Sequence, residues 1–393
     1  TYICAQEIPD FEYSYTESQY LINQGKNWQN HTTFGPIRFN YLDQIKKPSD
    51  SLIAHTNFSI ESYLTQSGNG FVISSYGLIK YKNFYAYSLP LIVTNDKIVP
   101  RYSGLPREID RFGFNSGEVD MSGVGYEDKN FLFQLGRGRQ SWGAGENLNL
   151  LLSNNSKSYD FFLAGFKYRK IRYRFFYGFL ENKNDYQRYI SGRGIEYFNE
   201  DDLIISLAEV SLYSGQNRSM DFAYLNPIST HLDIDMNGRA NKLKTDQGNA
   251  AWQISLDWMA KENLRVSANF IIDEFKFDKV ELDSGKNHGL AFSFGTNYFP
   301  KKFKNKMNLF ICYLFVGTNT FRHEDGYNNF VSRNSPLGWH LGSDSDEIHI
   351  GIEQFLKNNL RFNIKFGYRR SGYKTLLDNS YMGYGSYVVD NFP

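Results

Sequence analysis

The sequence predicts an all-β chain, a transmembrane antiparallel β-barrel, and three stretches of alternating side chains carry this prediction. In Ile171–Leu180, Leu264–Asp273 and Leu360–Arg369, apolar or aromatic side chains occupy every second position, and mostly polar residues occupy the positions between them. Successive side chains of a strand point to opposite faces of a sheet. Each stretch is therefore a strand with one apolar and one polar face. A length of about ten residues suits a tilted strand that crosses a bilayer.

Composition favours an outer-membrane barrel over a helical membrane protein. The 393 residues include 29 Tyr and 33 Phe, and tyrosine is favoured at bilayer interfaces because its ring is apolar at one end and polar at the other. The mean hydropathy of -0.50 suits a barrel, since half of each strand faces a polar lumen. A soluble barrel or sandwich would bury the same aromatic face. Charges of both signs on the polar face, such as Arg265 and Glu353, instead favour a wide lumen.

Charge, cysteine content and missing motifs exclude several functional classes. The 43 basic and 42 acidic residues nearly balance, which gives no support for a nucleic-acid partner. Two cysteines, Cys4 and Cys312, are too few for a disulfide framework. The sequence has no G-x-S-x-G, H-E-x-x-H or P-loop motif, and no arrangement that resembles a catalytic triad. We therefore expect no enzymatic activity and no cofactor, with membrane lipid as one partner.

One acidic segment resembles a calcium loop. Asp233, Asp235 and Asn237 match the first half of an EF-hand, but Lys244 stands at the twelfth position, where a bidentate glutamate is required. An EF-hand is therefore excluded. A looser calcium site on this loop remains an alternative to the expectation of no metal.

The chain divides into two regions. Thr1–Gln6 contains an Ala-Gln pair that resembles the end of an export signal, and a lipobox around Cys4 is a weaker match. Residues 7–50 lack sustained alternation, so residues 1–50 are predicted to combine an export-signal remnant with a periplasmic segment that plugs or braces the barrel. Residues 51–393 are predicted to form the barrel itself.

Fifteen segments in the second region have strand character, and because even counts are usual we expect about 14 to 18 strands. The segments are Leu52–Ser59, Gly70–Tyr76, Leu78–Tyr87, Val119–Tyr126, Asn130–Gly136, Phe161–Arg169, Ile171–Leu180, Leu203–Tyr213, Ala250–Met259, Leu264–Phe275, Leu290–Tyr298, Met307–Val316, Glu347–Leu356, Leu360–Arg369 and Tyr381–Val389. Long loops are expected at Pro90–Gly117, Ser214–Asn249 and Thr318–Asp346. Outer-membrane barrels place long loops outside the cell and tight turns in the periplasm.

The densest group of binding chemistry lies in Gly136–Asp160. Glycines beside a tryptophan permit a sharp backbone excursion, and guanidinium, indole and amide groups could together bind a sugar or an anionic polymer. The candidate residues for a polysaccharide-binding or lumenal site are Arg137, Arg139, Trp142, Asn154 and Asn155, together with Arg172 and Arg174. The structural alternative is a β-bulge and an inward fold that brace the barrel through arginine–carboxylate pairs.

Four segments resemble landmarks of the Wzi-type capsule-assembly barrels. They are GRGRQSWGAG at 136–145, LLSNN at 151–155, DFAYLNPIST at 221–230 and PLGWHLGSDSDEIHIGIE at 336–353, and they occur in the expected order. The resemblance implies a non-enzymatic barrel of the bacterial outer membrane that binds or organises capsular polysaccharide at the cell surface.

Two other functions stay open. The Ala-Gln pair and a composition rich in Asn, Lys, Tyr and Phe suggest a Bacteroidetes-like host, in which similar barrels are associated with type 9 secretion or gliding motility. The chain would then be an accessory subunit of an envelope complex, with other outer-membrane proteins as partners. A diffusion channel is the third alternative, since an open lumen would conduct.

Overall fold

The computed structural model describes residues 22–25, 28, 31–35, 52–66, 68–99, 101–106, 113–183, 185–241, 248–274, 288–303, 307–323, 326–357, 360–372 and 376. Within them, one antiparallel sheet of 15 strands dominates the molecule. No helix among these residues is long and apolar enough to span a membrane. The predicted strand Tyr381–Val389 and most of residues 1–50 lie outside the described residues.

The strands of the large sheet are joined mainly in sequence order, so each hydrogen-bonds to its neighbours along the chain. They are β2 (Ile53–Thr65), β3 (Gly68–Tyr81), β4 (Phe84–Val93), β5 (Ser116–Glu127), β6 (Phe131–Gly138), β8 (Tyr159–Tyr168), β9 (Ile171–Lys183), β10 (Tyr186–Phe198), β11 (Leu203–Gln216), β12 (Gly248–Lys261), β13 (Leu264–Glu274), β14 (Gly289–Tyr298), β15 (Met307–Val316), β18 (Ser345–Lys357) and β19 (Leu360–Ser371). Four two-residue strands lie outside this sheet: β1 (Phe34–Gly35), β7 (Ser141–Trp142), β16 (Val331–Ser332) and β17 (Ser335–Pro336).

The polar faces of the strands point inward and the apolar faces outward, as the alternation predicts. On β13, Arg265, Ser267 and Asn269 are buried, whereas Phe270 on the other face is exposed. Apolar side chains are likewise exposed on most outer strand faces, including Phe166 of β8 and Ile254 of β12. This surface matches the hydrocarbon core of a bilayer.

Two predicted strand boundaries are wrong. Gly70–Tyr76 and Leu78–Tyr87 were expected as separate strands, but β3 runs through residue 77 and the turn falls at Lys82 and Asn83. Lys82 adopts a positive φ of 53° there, which lets a tight turn form without glycine. β4 also extends to Val93, because a register shift between Leu89 and Pro90 accommodates the proline.

One strand, β10, was not predicted at all. Its outward positions include Ser191 and Arg193, and its inward positions include Gly192 and Gly194, so neither face reads as continuously apolar. The glycines face large rings. A Cβ at Gly192 would lie 2.1 Å from the Phe176 ring, and a Cβ at Gly194 would lie 2.4 Å from the Phe34 ring. The alternation fails where other parts of the chain, rather than lipid or water, cover the strand.

The two ends of the sheet differ in their connections. At one end, called the turn end here, the connections are short and include residues 82–83, 128–130, 169–170, 199–202 and 262–263. The opposite end, the loop end, carries the long connections at 94–115, 139–158, 217–247 and 317–344. This asymmetry agrees with the expected division into periplasmic turns and external loops.

Three segments fill the space that the inner faces enclose. Residues 31–35 lie against inward side chains near the turn end, and Thr33 donates from its backbone N–H to Glu196 over 2.6 Å. The connection 139–158 folds inward, where Leu150 and Leu152 are fully buried. The connection 317–344 packs on it through a backbone hydrogen bond from Ser153 to Leu337 of 2.9 Å. In the described residues, the lumen is therefore largely occupied.

Candidate functional site

The inward fold of residues 139–158 begins at Trp142. The two-residue strand β7 pairs with β1, with Phe34 opposite Trp142. The Trp142 ring lies 4.8 Å from the Phe34 ring and 5.2 Å from the Phe176 ring, and its side chain is fully buried. Trp142 therefore anchors the fold by packing, and its indole is closed off from solvent.

The glycines after Trp142 make this fold sterically feasible. Gly143 has a φ of 143°, and a Cβ there would lie 2.6 Å from the amide oxygen of Asn149. The next residue, Ala144, exchanges hydrogen bonds of 2.7 and 2.9 Å with the Asn269 side chain on the inner wall. The Trp-Gly-Ala-Gly sequence thus provides an anchor, a left-handed turn and a wall contact in four consecutive residues.

The chain returns to the loop end at an exposed turn, Asn154–Asn155. The Arg101 guanidinium donates to the backbone carbonyl of Asn154 over 3.1 Å, and the Ser153 hydroxyl accepts from the backbone N–H of Asn155 over 3.1 Å. On one side the turn borders a polar cavity. On the other it leads directly into a group of cationic residues.

This group, the loop-end cluster, consists of Arg137, Lys157 and Arg333. The Arg137 guanidinium donates to the backbone carbonyl of Val119 over 2.9 Å and lies 3.7 Å from Glu118. The Arg333 guanidinium donates to the Ser103 hydroxyl over 2.9 Å. Among the described residues, the side chains of Lys157 and Arg333 form no ion pair with a carboxylate.

The environment of the loop-end cluster disfavours additional positive charge. Burial lowers the pKa of the Lys157 ammonium, and the nearby Arg333 guanidinium lowers it further, against the opposing effect of Glu118. Burial also lowers the pKa of Arg333, and Arg137 contributes in the same direction. Glu118, Glu181 and Asp160 lie near enough to act in the opposite direction, but none of them is within ion-pair distance of Lys157 or Arg333. An incoming anion that reached this distance would gain charge-assisted hydrogen bonds, which are stronger than neutral ones.

Backbone geometry holds Arg333 at the tip of the β16–β17 hairpin. Arg333 and Asn334 both have positive φ values, 50° and 61°, where glycine is usually preferred. The backbone N–H of Arg333 donates to Glu181 over 3.0 Å and fixes the turn against β9. A non-glycine residue in this conformation costs free energy, and such strain concentrates at functional positions.

A polar cavity of about 380 Å³ lies on the other side of the Asn154–Asn155 turn. Its lining includes Asn154, Asn155, Trp339 and His340 toward the loop end, Glu146 of the inward fold, Glu347, His349, Asn363 and Lys365 on the wall, and His31, Thr32 and Arg265 toward the turn end. The amide, imidazole, carboxylate and ammonium groups offer both donors and acceptors, which suits a hydroxyl-rich ligand.

Residues of the N-terminal segment close this cavity toward the turn end. His31 lies 2.7 Å from the carboxylate of Asp257, which also accepts from the Arg265 guanidinium over 2.8 Å. Burial lowers the pKa of the His31 imidazole, although the neighbouring Asp257 carboxylate acts against this. The floor of the cavity is therefore a hydrogen-bonded network between the segment and the wall.

The structure separates the seven predicted site residues into different places. Asn154 and Asn155 border the cavity and Arg137 belongs to the loop-end cluster. Arg139 is buried in an ion pair with Asp120 and donates to the carbonyl of Ser156 over 2.7 Å, so it braces the inward fold as the structural alternative predicted.

Of the remaining three, Trp142 is the packed anchor described above, whereas Arg172 and Arg174 face the lumen near the turn end, at the opposite end of the wall from the loop-end connections. Arg172 pairs with Glu196 at 2.5 Å and covers the Phe198 ring at 3.8 Å. Arg174 donates to the backbone carbonyl of Phe34. Arg174 thus contacts residues 31–35 directly, and Arg172 acts on them through Glu196, which accepts from Thr33.

Sequence reasoning missed Lys157, Arg333, Trp339 and His340. The last two lie in the Pro336–Glu353 segment, which was singled out as a landmark, so a signal for them existed. Arg333 has none, because only the hairpin geometry brings it beside Arg137. The segment considered as an alternative calcium loop is helical: Asp233 and Asp235 lie in a helix, and Asp233 pairs with Arg239. No group of three or more potential metal ligands occurs among the described residues.

Comparison with solved structures shows the class of protein that this architecture defines. The fold is similar to Wzi, an outer-membrane protein of Escherichia coli described as a carbohydrate-binding β-barrel involved in group 1 capsule assembly. The two share 12% identity over 87% of this chain and 74% of that chain, with a TM-score of 0.55. A loop-deletion variant of OmpT, an outer-membrane protein of Vibrio cholerae, shares 10% identity over 83% of this chain and 95% of its own, with a TM-score of 0.44.

The chain is an outer-membrane β-barrel, as the sequence predicted. No protein-family model matches it. No curated protein matches it by sequence either. At 12% identity, the similarity to Wzi shows a shared fold and nothing finer.

Proposed function

We propose that this barrel is a non-enzymatic binder of acidic surface polysaccharide, and that the loop-end cluster and the Asn154–Asn155 turn form its binding site. The observation that carries the proposal is the pair of cations, Lys157 and Arg333, which are held beside Arg137 and form no carboxylate ion pair in the described part of the chain. A uronic-acid polymer offers carboxylates that could approach these groups within ion-pair distance, which Glu118 and Glu181 do not. The similarity in fold to a carbohydrate-binding barrel supports the same class of ligand.

The position of the site suits a polymer outside the cell. The loop end is the external end under the usual orientation of outer-membrane barrels. The exposed amides of Asn154 and Asn155 lie between the cationic cluster and the polar cavity, where they could hydrogen-bond to sugar hydroxyls. The barrel would hold a chain at the cell surface and need no reacting group.

Binding of polygalacturonate, with neutral dextran as the comparison polymer, tests this proposal. Retention of the acidic polymer by purified barrel in vesicles should exceed that of dextran and should fall as salt is added, because exposed ion pairs are screened. Arg333→Gln should weaken retention about tenfold, which corresponds to the loss of one charge-assisted contact.

Lys301→Gln is a matched control, because Lys301 is an exposed cation at the turn end, 3.4 Å from Glu262. It removes the same charge from the opposite end of the barrel and should leave retention unchanged. Equal retention by wild type and Arg333→Gln, or an equal loss in both variants, would reject the assignment. The role as an accessory subunit of a secretion or gliding complex stays a prediction from the sequence.

A further inference from the structure

The connection between β11 and β12 folds back along the outer wall of the barrel. Residues 218–241, called the flap here, contain helix α1 (Phe222–Leu225) and helix α2 (His231–Met236). Tyr224 and Ile234 of the flap are buried in one cluster with outward-facing aromatic residues of the wall. The wall residues of that cluster are Phe175, Tyr177, Tyr189 and Tyr213.

Stacking and hydrogen bonds fix the flap in this position. The Tyr224 ring stacks on the Tyr213 ring at a centroid distance of 4.3 Å, and the Tyr213 hydroxyl accepts from the backbone N–H of Asp221 over 3.0 Å. The Tyr173 hydroxyl donates to the backbone carbonyl of Pro227. The Ile171–Leu180 strand was expected to show all its aromatic residues to lipid, but the flap covers Tyr173, Phe175 and Tyr177.

Beside this aromatic cluster, the outer wall also carries an ion pair. Arg193 of β10 and Glu209 of β11 are directly paired across the strands and lie 3.4 Å apart. Two residues nearer the turn end on the same outward face, Ile195 and Leu207 are 47% and 41% exposed. The ion pair thus borders the lipid-facing band. An arginine that faces hydrocarbon destabilises a membrane barrel.

The flap gives Glu209 a further partner, because the backbone N–H of His231 donates to it over 3.0 Å. Its own outer surface exposes large apolar side chains, beside the half-exposed Asp233–Arg239 ion pair. Phe222 and Ile228 are 85% and 82% exposed, and Leu232 and Met236, which are one helical turn apart on α2, are exposed on the same face. Ile234 points the other way and is buried. If the flap faced water, these large apolar side chains would be exposed to solvent.

We infer that the flap replaces the wall as the lipid-contacting surface over β9, β10 and β11, and that Phe222, Ile228, Leu232 and Met236 contact the acyl chains of the outer membrane. Lipid is the occupant because the exposed apolar surface of the flap continues the exposed apolar band of Ile195 and Leu207. The flap thereby separates the ion pair of the wall from hydrocarbon. Phe222 and Met236 become membrane anchors, although they lie in a connection at the loop end.

Nitroxide accessibility tests this inference in the full chain. In a Cys4→Ser background, spin labels are attached to Ile228→Cys and Met236→Cys, and the native Cys312 stays unlabelled because it is buried. The protein is placed in dioleoylphosphatidylcholine vesicles, and collisions with oxygen and with a water-soluble nickel chelate are measured. Two reference labels complete the set: Phe166→Cys on the outer wall, and Leu105→Cys on an exposed connection at the loop end.

The flap labels should behave like the Phe166→Cys label, with high oxygen and low nickel accessibility. Nickel accessibility equal to that of Leu105→Cys would place the flap in water and overturn the inference. Low accessibility to both reagents would show that protein, for example a second copy of the chain, covers the surface, and would overturn it too. Gel migration before and after heating verifies that each variant forms the folded barrel.

Discussion

Gly338 lies directly against the backbone carbonyl of Leu150: a Cβ built on Gly338 would come within 1.7 Å of that oxygen. This approach joins two loop-end connections, because the backbone N–H of Trp339 donates to Leu150 over 3.1 Å and that of Ser153 donates to Leu337 over 2.9 Å. The connections 139–158 and 317–344 therefore act as one packed unit over the lumen.

Gly338→Ala should separate these two connections. The added methyl group meets backbone rather than a flexible side chain, so we expect a loss of about 1–3 kcal/mol in the free energy of unfolding. Protease cleavage within residues 317–344 should also increase. Urea titration in vesicles and limited proteolysis measure the two effects.

Gly77→Ala is the matched control for that substitution, because a Cβ at Gly77 meets nothing within 4 Å. If Gly338→Ala were no more sensitive to protease than Gly77→Ala, the close contact between the connections would be contradicted.

Glu196→Ala should release the N-terminal segment. Glu196 accepts from Thr33 and pairs with Arg172, so its removal leaves a buried guanidinium without its partner, at a cost of about 3–5 kcal/mol. In planar bilayers the wild type should conduct little, since the described lumen is occupied, whereas Glu196→Ala should show larger or more frequent conductance steps.

Glu262→Ala removes an exposed carboxylate at the turn end and should leave conductance at the wild-type level. Steady, large currents through the wild type would instead support the diffusion-channel alternative.

Trp142→Ala should separate stability from ligand binding. Loss of a fully buried indole leaves a cavity between Phe34 and Phe176, so the free energy of unfolding should fall by about 3–5 kcal/mol. The fraction that remains folded should retain polygalacturonate, because Arg333 and Lys157 are unchanged. A variant that folds fully yet loses all polymer retention would show that Trp142 contributes to the site directly.

The flap should loosen as the pH falls. Burial is the main cause that lowers the pKa of the His231 imidazole to about 4, and His323 and Arg193 act in the same direction. The folded state therefore resists a proton that the unfolded flap accepts near pH 6.5. The stabilising contribution of neutral His231 is complete above that pH and declines as the pH falls toward about 4. Below that, both states are protonated and the loss stops.

Mobility of the Ile228→Cys spin label, measured between about pH 7.5 and pH 4, reports this change. The label should become more mobile as the pH falls, and His231→Gln should abolish much of the dependence. An unchanged spectrum across the range would contradict the link between His231 and the flap. His55→Gln, which alters a histidine on β2, serves as the control.

Alternation was enough to predict most of the wall, because lipid and lumen impose opposite chemistry on the two faces of a strand. Segments such as Leu264–Phe275 and Leu360–Arg369 agree closely with β13 and β19. Alternation did not predict β10, because the flap covers Arg193 and the ring of Phe34 occupies the space beside Gly194. At such positions the neighbour is another part of the chain, which a local pattern does not reveal.

The candidate site was predictable only in part for a related reason. The glycines around Trp142 signalled a backbone excursion, but whether the indole faced a ligand or the core depended on Phe34, more than a hundred residues earlier. Arg137 and Arg333 come together because Ser103 and the β16–β17 hairpin position them. The spacing of residues in the sequence does not predict that Arg137 and Arg333 lie close together.

The contacts of the N-terminal segment constrain the order in which this barrel can be assembled. Asn23 and Arg265 interact across 242 positions of the chain, and Thr33 reaches Glu196 across 163. Asn23 and Thr33 therefore cannot form these contacts until β13 and β10, which carry their partners, have been synthesised. Because they lie within the curved wall, they must be enclosed as it closes or threaded in afterwards from the turn end. Formation of the wall and placement of residues 23–33 inside it are therefore linked steps of assembly.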